Sequence, residues 1–311
     1  MPICAFDIDD TGQAAPAGTG PVTSGYRWLH FDLADPDLPA FLSDHVADIP
    51  AAGLLAPETR PRCDPYADGL ILNLRGVNMN NDGPVDQMVA VRIWVTKTLL
   101  ITVQARHVVA VDELRHEAEA GAAPANALTM VGQLARRLMR RVRDTVFDLS
   151  DRVDVMEDTV VDDDAPLPHE LAEERRMAIR LRRYLGPQRD ALDALVLTDS
   201  ALMTDRLRAQ MREQANLAKL AVEELDALVA RMTAVQDHHT AQAALKQGHN
   251  GYVLSIVAAV FLPLGFITGL FGVNVAGMPG VGTPWAFAAL CAAMVVISVA
   301  ALWLMRRLKW I

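Results

Sequence analysis

Apolar and polar positions divide the chain into three textures. Over the first hundred or so residues, short runs rich in Val, Ile and Leu alternate with turn residues. Tyr26–Leu33 has the period of two expected of a strand, and Gly69–Leu74, Met88–Val95 and Leu99–Gln104 are further strand-like runs, with NNDG (Asn80–Gly83) as a turn between them. Asp37–His45 and Val111–Ala120 carry helical periodicity. Residues 1–123 therefore read as a cytoplasmic α/β domain. After Pro124 the pattern is helical: Asn126–Asp162, a break at DDDAPLP (Asp162–Pro168), then His169–Leu197, which together make a helical hairpin over 124–200. From about Ala201 the periodicity runs without Gly or Pro to Gly248 and continues into an apolar run. A helix over 201–271 is roughly 100 Å long at 1.5 Å per residue, which predicts a stalk over 201–251 rather than a core helix.

The stalk carries a heptad seam. Leu207, Met211, Gln214, Ala218, Ala221, Leu225, Leu228, Met232 and Val235 are spaced by four and three. The same register places His239, Gln242 and Lys246 on the seam, so it turns polar towards its end. The expectation is that parallel copies of the chain pack along Leu225, Leu228, Met232 and Val235 and part around water above. The alternative is a slipped register with the polar positions on a solvated face.

The third texture is apolar throughout. Tyr252–Phe271 and Trp285–Met305 contain no charged residue, and each is about 30 Å long, the thickness of a hydrocarbon core. They predict transmembrane helices over 252–271 and 285–305, joined by an external loop (272–284) and followed by a basic tail (306–311). No Asp or Glu follows Lys246, and the only charged side chains from there on are Lys246, Arg306, Arg307 and Lys309. The positive flanks place the tail and the body before the spans in the cytoplasm and the loop outside. These patterns predict a multi-pass protein of the cell inner (plasma) membrane, with both termini cytoplasmic. MPICAFDIDD at the start lacks the pattern of a cleaved signal peptide. Pro263 interrupts the first span and removes the hydrogen bond to the Ala259 carbonyl. It marks either a bend tolerated in a tightly packed pair or a pore-lining helix.

Charge narrows the function. Residues 1–245 hold 25 basic against 38 acidic side chains, a formal −13, and the remainder carries +4. An acidic body argues against a nucleic-acid partner and suits attraction of cations. Cys4, Cys63 and Cys291 form neither a CxxC pair nor a disulfide framework. No GxxxxGK[ST], HExxH or GxSxG is present, so nothing points to an enzyme or a bound cofactor.

Tyr252–Pro279, YVLSIVAAVFLPLGFITGLFGVNVAGMP, resembles the first transmembrane helix and signature loop of the CorA family of divalent-cation transporters. The shared features are FLPL (Phe261–Leu264), FITGLFG (Phe266–Gly272) and a GxN tripeptide at Gly272, Val273 and Asn274, followed by one more span and a short basic tail. Magnesium-moving members usually read GMN with an acidic residue soon after. Val273 and the neutral VAGMPG here are more similar to the ZntB zinc-transporter branch. The resemblance implies an α+β cytoplasmic domain, a long helical stalk and two C-terminal transmembrane helices in a funnel-shaped homopentamer embedded in lipid, carrying zinc with or without coupled protons. A magnesium or cobalt channel of the same family is the nearest alternative. A membrane-anchored signalling or scaffold protein is the alternative of a different class.

Two spans cannot enclose a pore, so several copies must present the first span inward. Helical spacing puts Gly269, Gly265, Leu262, Ala258, Leu254 and Gly251 on one pore-lining face. That face has no carboxylate, imidazole or thiolate, so a divalent ion passes at least partly hydrated, with Asn274 and backbone carbonyls bonding its water shell. No Asp, Glu, His, Lys or Arg lies in either span, which leaves no intramembrane proton relay through such residues. His238, His239 and His249 are either a cytoplasmic metal- or proton-responsive site or ordinary solvated residues. In the family the hairpin tip points to the membrane. Its acidic cluster, Glu157, Asp158, Asp162, Asp163 and Asp164, either concentrates cations or pairs with Arg306, Arg307 and Lys309, or is a solvated turn.

Overall fold

The computed structural model describes the chain apart from residues 161–165, 199–202, 274–279, 281 and 308–311. It divides into two compact units, Met1–Gln236 and Asp237–Ile311.

The first unit is built on a seven-stranded mixed sheet. Its strands are β1 (Cys4–Ile8), β2 (Ala14–Pro16), β3 (Tyr26–Asp32), β4 (Arg62–Tyr66), β5 (Gly69–Gly76), β6 (Val89–Val95) and β7 (Leu99–Gln104), in the order β2-β1-β3-β7-β6-β5-β4. Only β3 and β7 are parallel; every other pairing is antiparallel. Alternate side chains point to opposite faces, and each face has its own core. Trp28, Leu72, Leu74, Val91, Ile93 and Leu100 belong to one core, and Leu29, Phe31, Ile71, Trp94, Ile101 and Val103 to the other. The second core is closed by α1 (Leu38–His45) and α2 (Asp48–Leu55). The first is closed by α3 (Val109–Glu119), α4 (Ala127–Thr159), α5 (Leu171–Leu197) and the start of α6 (Asp205–Gly272). Asn126 caps α4 by accepting from the backbone N–H groups of Leu128 and Thr129 at 2.8 and 3.1 Å.

Four elements carry too little pattern to be read from sequence. β1 is short and β2 is a three-residue edge strand. β4 contains Pro65, which an edge position tolerates because one side of the strand needs no donor. In α2, Gly53 lies where a Cβ would come within 3.1 Å of Arg62 Nη2 and 3.3 Å of Ile71 Cγ2, so close packing rather than helix propensity selects the glycine.

The seam on α6 departs from expectation. Leu207, Met211, Gln214, Ala218, Ala221, Leu225, Leu228 and Met232 are all buried, but within their own chain. They join the core formed with α4 and α5, and Val235 packs against it half-buried. A Cβ on Gly132 of α4 would meet Leu207 Cδ1 at 2.6 Å, so α4 and α6 approach closely. Arg231 bridges from α6 to Asp154 (2.5 Å) and Glu157 of α4, and Arg182 of α5 pairs with Asp226 of α6. The seam therefore does not face neighbouring copies. An apolar stripe dictates that a helix packs but not on what. The preceding hairpin is tethered a few residues away, so it is the partner always at hand.

In the second unit, the rest of α6 is followed by α7 (Ala286–Arg307). Windows of 18 residues reach a mean hydropathy of 2.3 in α6 and 2.5 in α7, and neither window is buried. Both helices are long and apolar enough to cross a membrane.

Candidate functional site

The site is built on the apolar, membrane-length part of α6. Ile256, Val260, Leu264 and Ile267, spaced by four, four and three, are its half-buried face. On α7 the matching stripe is Ala286, Leu290, Met294, Ile297, Ala301 and Met305. Ile267 and Phe271 of α6 share a cavity of about 640 Å³ with Trp285, Phe287 and Leu290. The sequence-derived pore face lies elsewhere on α6. Gly251, Leu254, Leu262, Gly265 and Gly269 are exposed and Ala258 is half-buried. A Cβ built on Gly251, Gly265, Gly269 or Gly272 would meet no atom within 4 Å.

Pro263 sits inside the helix without ending it. Two residues overlooked in the sequence reading bond to backbone on either side of it. Ser255 Oγ donates to the Gly251 carbonyl at 2.9 Å, and Thr268 Oγ1 donates to the Leu264 and Gly265 carbonyls at 3.0 and 3.1 Å. Both are the return bond to the preceding turn that lets a hydroxyl lie in an apolar helix. A hydroxyl-bearing residue in an otherwise apolar run was the available signal.

At the loop, Gly272 ends α6 and Val273 is exposed; Asn274 lies outside the described residues. Gly280, at φ 96°, occupies the left-handed region and starts a turn in which the Thr283 N–H donates to its carbonyl at 3.0 Å. Of the basic tail, Arg306 and Arg307 are exposed, Arg307 lies 5.4 Å from the Trp303 ring centroid, and Lys309 lies outside the described residues.

His238 and His249 are exposed and His239 is half-buried. His238 Nε2 lies 3.5 Å from Gln242 Nε2. In the acidic cluster, Glu157 is engaged by Arg231, whose Nε donates to Oε1 at 3.0 Å. Glu157 and Asp154 together push the Arg231 pKa upward. Asp158 is exposed, and Asp162, Asp163 and Asp164 lie outside the described residues. Among the described residues, no three His, Cys, Asp or Glu side chains gather as a metal-binding group. Burial pushes the Cys4 and Cys63 thiols up to about 12, so neither offers a ready thiolate.

The model of the CorA-like Mg2+ transporter protein family matches residues 23–307. The chain is 33% identical to the zinc transport protein ZntB of Pectobacterium carotovorum over 311 residues, covering 99% of this chain and 95% of the relative. Among solved structures, the full-length CmaX protein superposes with a TM-score of 0.85 at 30% identity, covering 99% of this chain and 98% of that one. The ZntB cytoplasmic domain from Vibrio parahaemolyticus superposes with a TM-score of 0.69 at 23% identity, covering 78% of this chain and 98% of that one. A long helix running into one of two apolar helices behind an α/β domain, matched over nearly its whole length, identifies this chain as a member of the CorA-like family, whose members transport divalent metal cations and are not enzymes.

Proposed function

We propose that the chain takes up zinc across the cell inner membrane as a homopentamer, with the glycine-bearing face of α6 around an axial pore. Both termini lie in the cytoplasm, and residues 272–284 form the external loop. The observation that carries this reading is the open face of α6. Small residues at Gly251, Gly265 and Gly269 have no neighbour in their own chain, while the opposite stripe is half-covered. Gly272, Val273 and Asn274 form the outer entrance, and Pro263 sets the bend of the lining helix. Relatives of near-equal length named as zinc transport proteins support zinc over magnesium, as do Val273 and a loop without acidic residues.

With no ionisable group on the lining face, the ion keeps most of its water, and selectivity comes from hydrogen bonding of the hydration shell at Asn274 and at backbone carbonyls. Any proton coupling must be carried by water or by groups outside the spans, His238, His239 and His249 being the nearest imidazoles. The remaining acidic cluster and the basic tail act, at most, on the local cation concentration.

The test is metal uptake into proteoliposomes of the full chain, comparing zinc with magnesium, each with and without a pH gradient. Zinc uptake exceeding magnesium uptake supports the reading. Equal uptake, or magnesium alone, assigns the chain to the magnesium side of the family. A mass measurement in detergent showing a stable monomer or dimer removes the axial pore.

A further inference from the structure

Residues 1–245 carry a formal −13, yet one cavity in the first unit reverses that sign. It measures about 590 Å³ and is bounded by the chain following α2, by β5 and β6, and by α5. Arg75, Arg92, Arg106, Arg180 and Arg183 line it, against only Glu58 and Asp86.

Two of these arginines are held in an unusual way. Arg92 is 2% exposed. Its Nε and Nη2 donate to the Ala56 carbonyl at 3.0 and 2.8 Å, Nη2 also donates to the Pro57 carbonyl at 3.1 Å, and Nη1 is buried with no partner. Arg75 donates to the Thr59 carbonyl at 2.7 Å and the Met88 carbonyl at 2.9 Å, and its guanidinium lies 4.0 Å over the Tyr184 ring. Among the described residues, both guanidiniums bond main-chain carbonyls and no carboxylate. Burial lowers both pKa values, and the nearby charge of Arg75 lowers that of Arg92 further. Two neighbouring guanidinium cations, Arg92 fully buried and Arg75 half-buried, with no carboxylate bonded to either are costly to the folded state.

The acid in the same cavity is also incomplete. Asp86 is buried; its Oδ2 accepts from Arg180, and its Oδ1 is buried with no partner. The cavity thus offers an excess of guanidinium donors and one unused carboxylate acceptor. Planar guanidinium groups suit phosphate oxygens. The unused acceptor calls for a ligand that also carries a proton donor.

We propose that this cavity binds a phosphate that comes with a hydroxyl, as inorganic hydrogenphosphate with its P–OH or a small phosphomonoester with a hydroxyl on its organic part, with Arg75, Arg92 and the rim arginines on the oxyanion and Asp86 accepting from that O–H. Sulfate has the same shape and charge but carries no proton at neutral pH, so it satisfies the arginines and leaves Asp86 repelled.

The test is calorimetry on the full chain in detergent at constant ionic strength, using inorganic phosphate, glycerol phosphate, sulfate and chloride. One saturable site per chain is expected for phosphate or the ester, with sulfate at least about tenfold weaker, the loss of one charge-assisted hydrogen bond. Tighter binding of the ester supports an organic ligand, and tighter binding of phosphate the free ion. The double variant Arg106→Ala/Arg183→Ala changes only exposed rim residues and is expected to weaken binding by about tenfold or more. Asp86→Asn is expected to remove the preference for phosphate over sulfate. No saturable binding, an equal response to chloride, or a rim double variant that binds like wild type overturns the proposal and leaves Arg75 and Arg92 as clamps on residues 56–59. Should Asp86→Asn fail to fold, the sulfate comparison on the wild-type chain and the rim variant still decide it.

Discussion

The two parts of α6 obey different rules. From Asp205 to Gln236 the helix alternates charged residues with a seam whose members, such as Leu225, Leu228 and Met232, are fully buried. From Asp237 to Gly272 the same helix is far more apolar, yet no residue in it is fully buried. Glycine environments follow the same division. Gly132, beneath the first part, has Leu207 pressed against it, whereas Gly265 and Gly269 in the second part face open space. Hydrophobicity alone therefore does not tell which side chains form a core. The first part has α4 and α5 of its own chain to pack on. The second has only the stripe on α7, and its remaining apolar surface is exposed.

The largest expected effect lies in the buried part. Leu228→Asp places an unpaired charge among α4, α5 and α6, at a cost above about 4 kcal/mol. It should prevent folding of the first unit rather than merely loosen an assembly. Even Leu228→Ala should cost about 2–5 kcal/mol, whereas Leu254→Ala, on the exposed face, should stay within about 0.5 kcal/mol. Denaturant unfolding in detergent compares them, and equal losses would erase the contrast between the two parts of α6.

The next effect depends on pH. His30 is 2% exposed, hydrogen-bonded through Nδ1 to Thr102 Oγ1 at 2.9 Å, and burial depresses its pKa from 6.5 to about 4. A base depressed on folding contributes stability that is complete above its unfolded pKa and is lost as pH falls towards the folded one. The first unit should therefore lose up to about 3 kcal/mol between pH 6.5 and 4. Unfolding followed by tryptophan fluorescence, to which the buried Trp28 and Trp94 of this unit contribute, measures that slope, and His30→Gln should flatten it. A slope unchanged by the substitution would assign the pH dependence to other groups.

Smaller in free energy, though large in function, is Asn274→Ala. On the proposed pore, losing one hydrogen-bond acceptor per subunit should lower zinc uptake by about tenfold or more while leaving oligomerisation intact. Asn274→Asp should retain uptake with altered ion preference. Wild-type uptake and preference in both variants would show that the entrance lies elsewhere. The smallest effect concerns Arg231, which is about one-third exposed and shared between Asp154 and Glu157. Arg231→Met should cost about 1 kcal/mol or less, diminishing at high salt, and a salt-independent loss would mean that packing of its stem dominates.

Much of the architecture was legible because it rests on local periodicity. β7 is observed at Leu99–Gln104 as expected, and α5 ends at Leu197 as expected. The two apolar runs became the membrane-length parts of α6 and α7. The edge strands β2 and β4 were not legible, since three residues, or a run containing Pro65, carry no period. The apolar end of α6 was legible as a helix, because an uncharged run containing proline and glycine is written in consecutive positions. The arginine cavity was not, because Arg75, Arg92 and Arg180 come from β5, β6 and α5, and only the fold brings them together.

The sequence by itself determined the two apolar spans, the charge division between body and tail, the heptad spacing on α6 and the uncharged, glycine-bearing face of its apolar part. Each is a property of neighbouring residues at a fixed helical pitch or of composition over a short window. Tertiary structure alone decided what the seam packs on, which glycines are crowded and which open, that Glu157 is engaged by Arg231, and that five arginines, Arg92 among them fully buried, line one cavity. These depend on contacts between residues far apart in the chain, and a one-dimensional pattern specifies that a surface must be covered without naming what covers it.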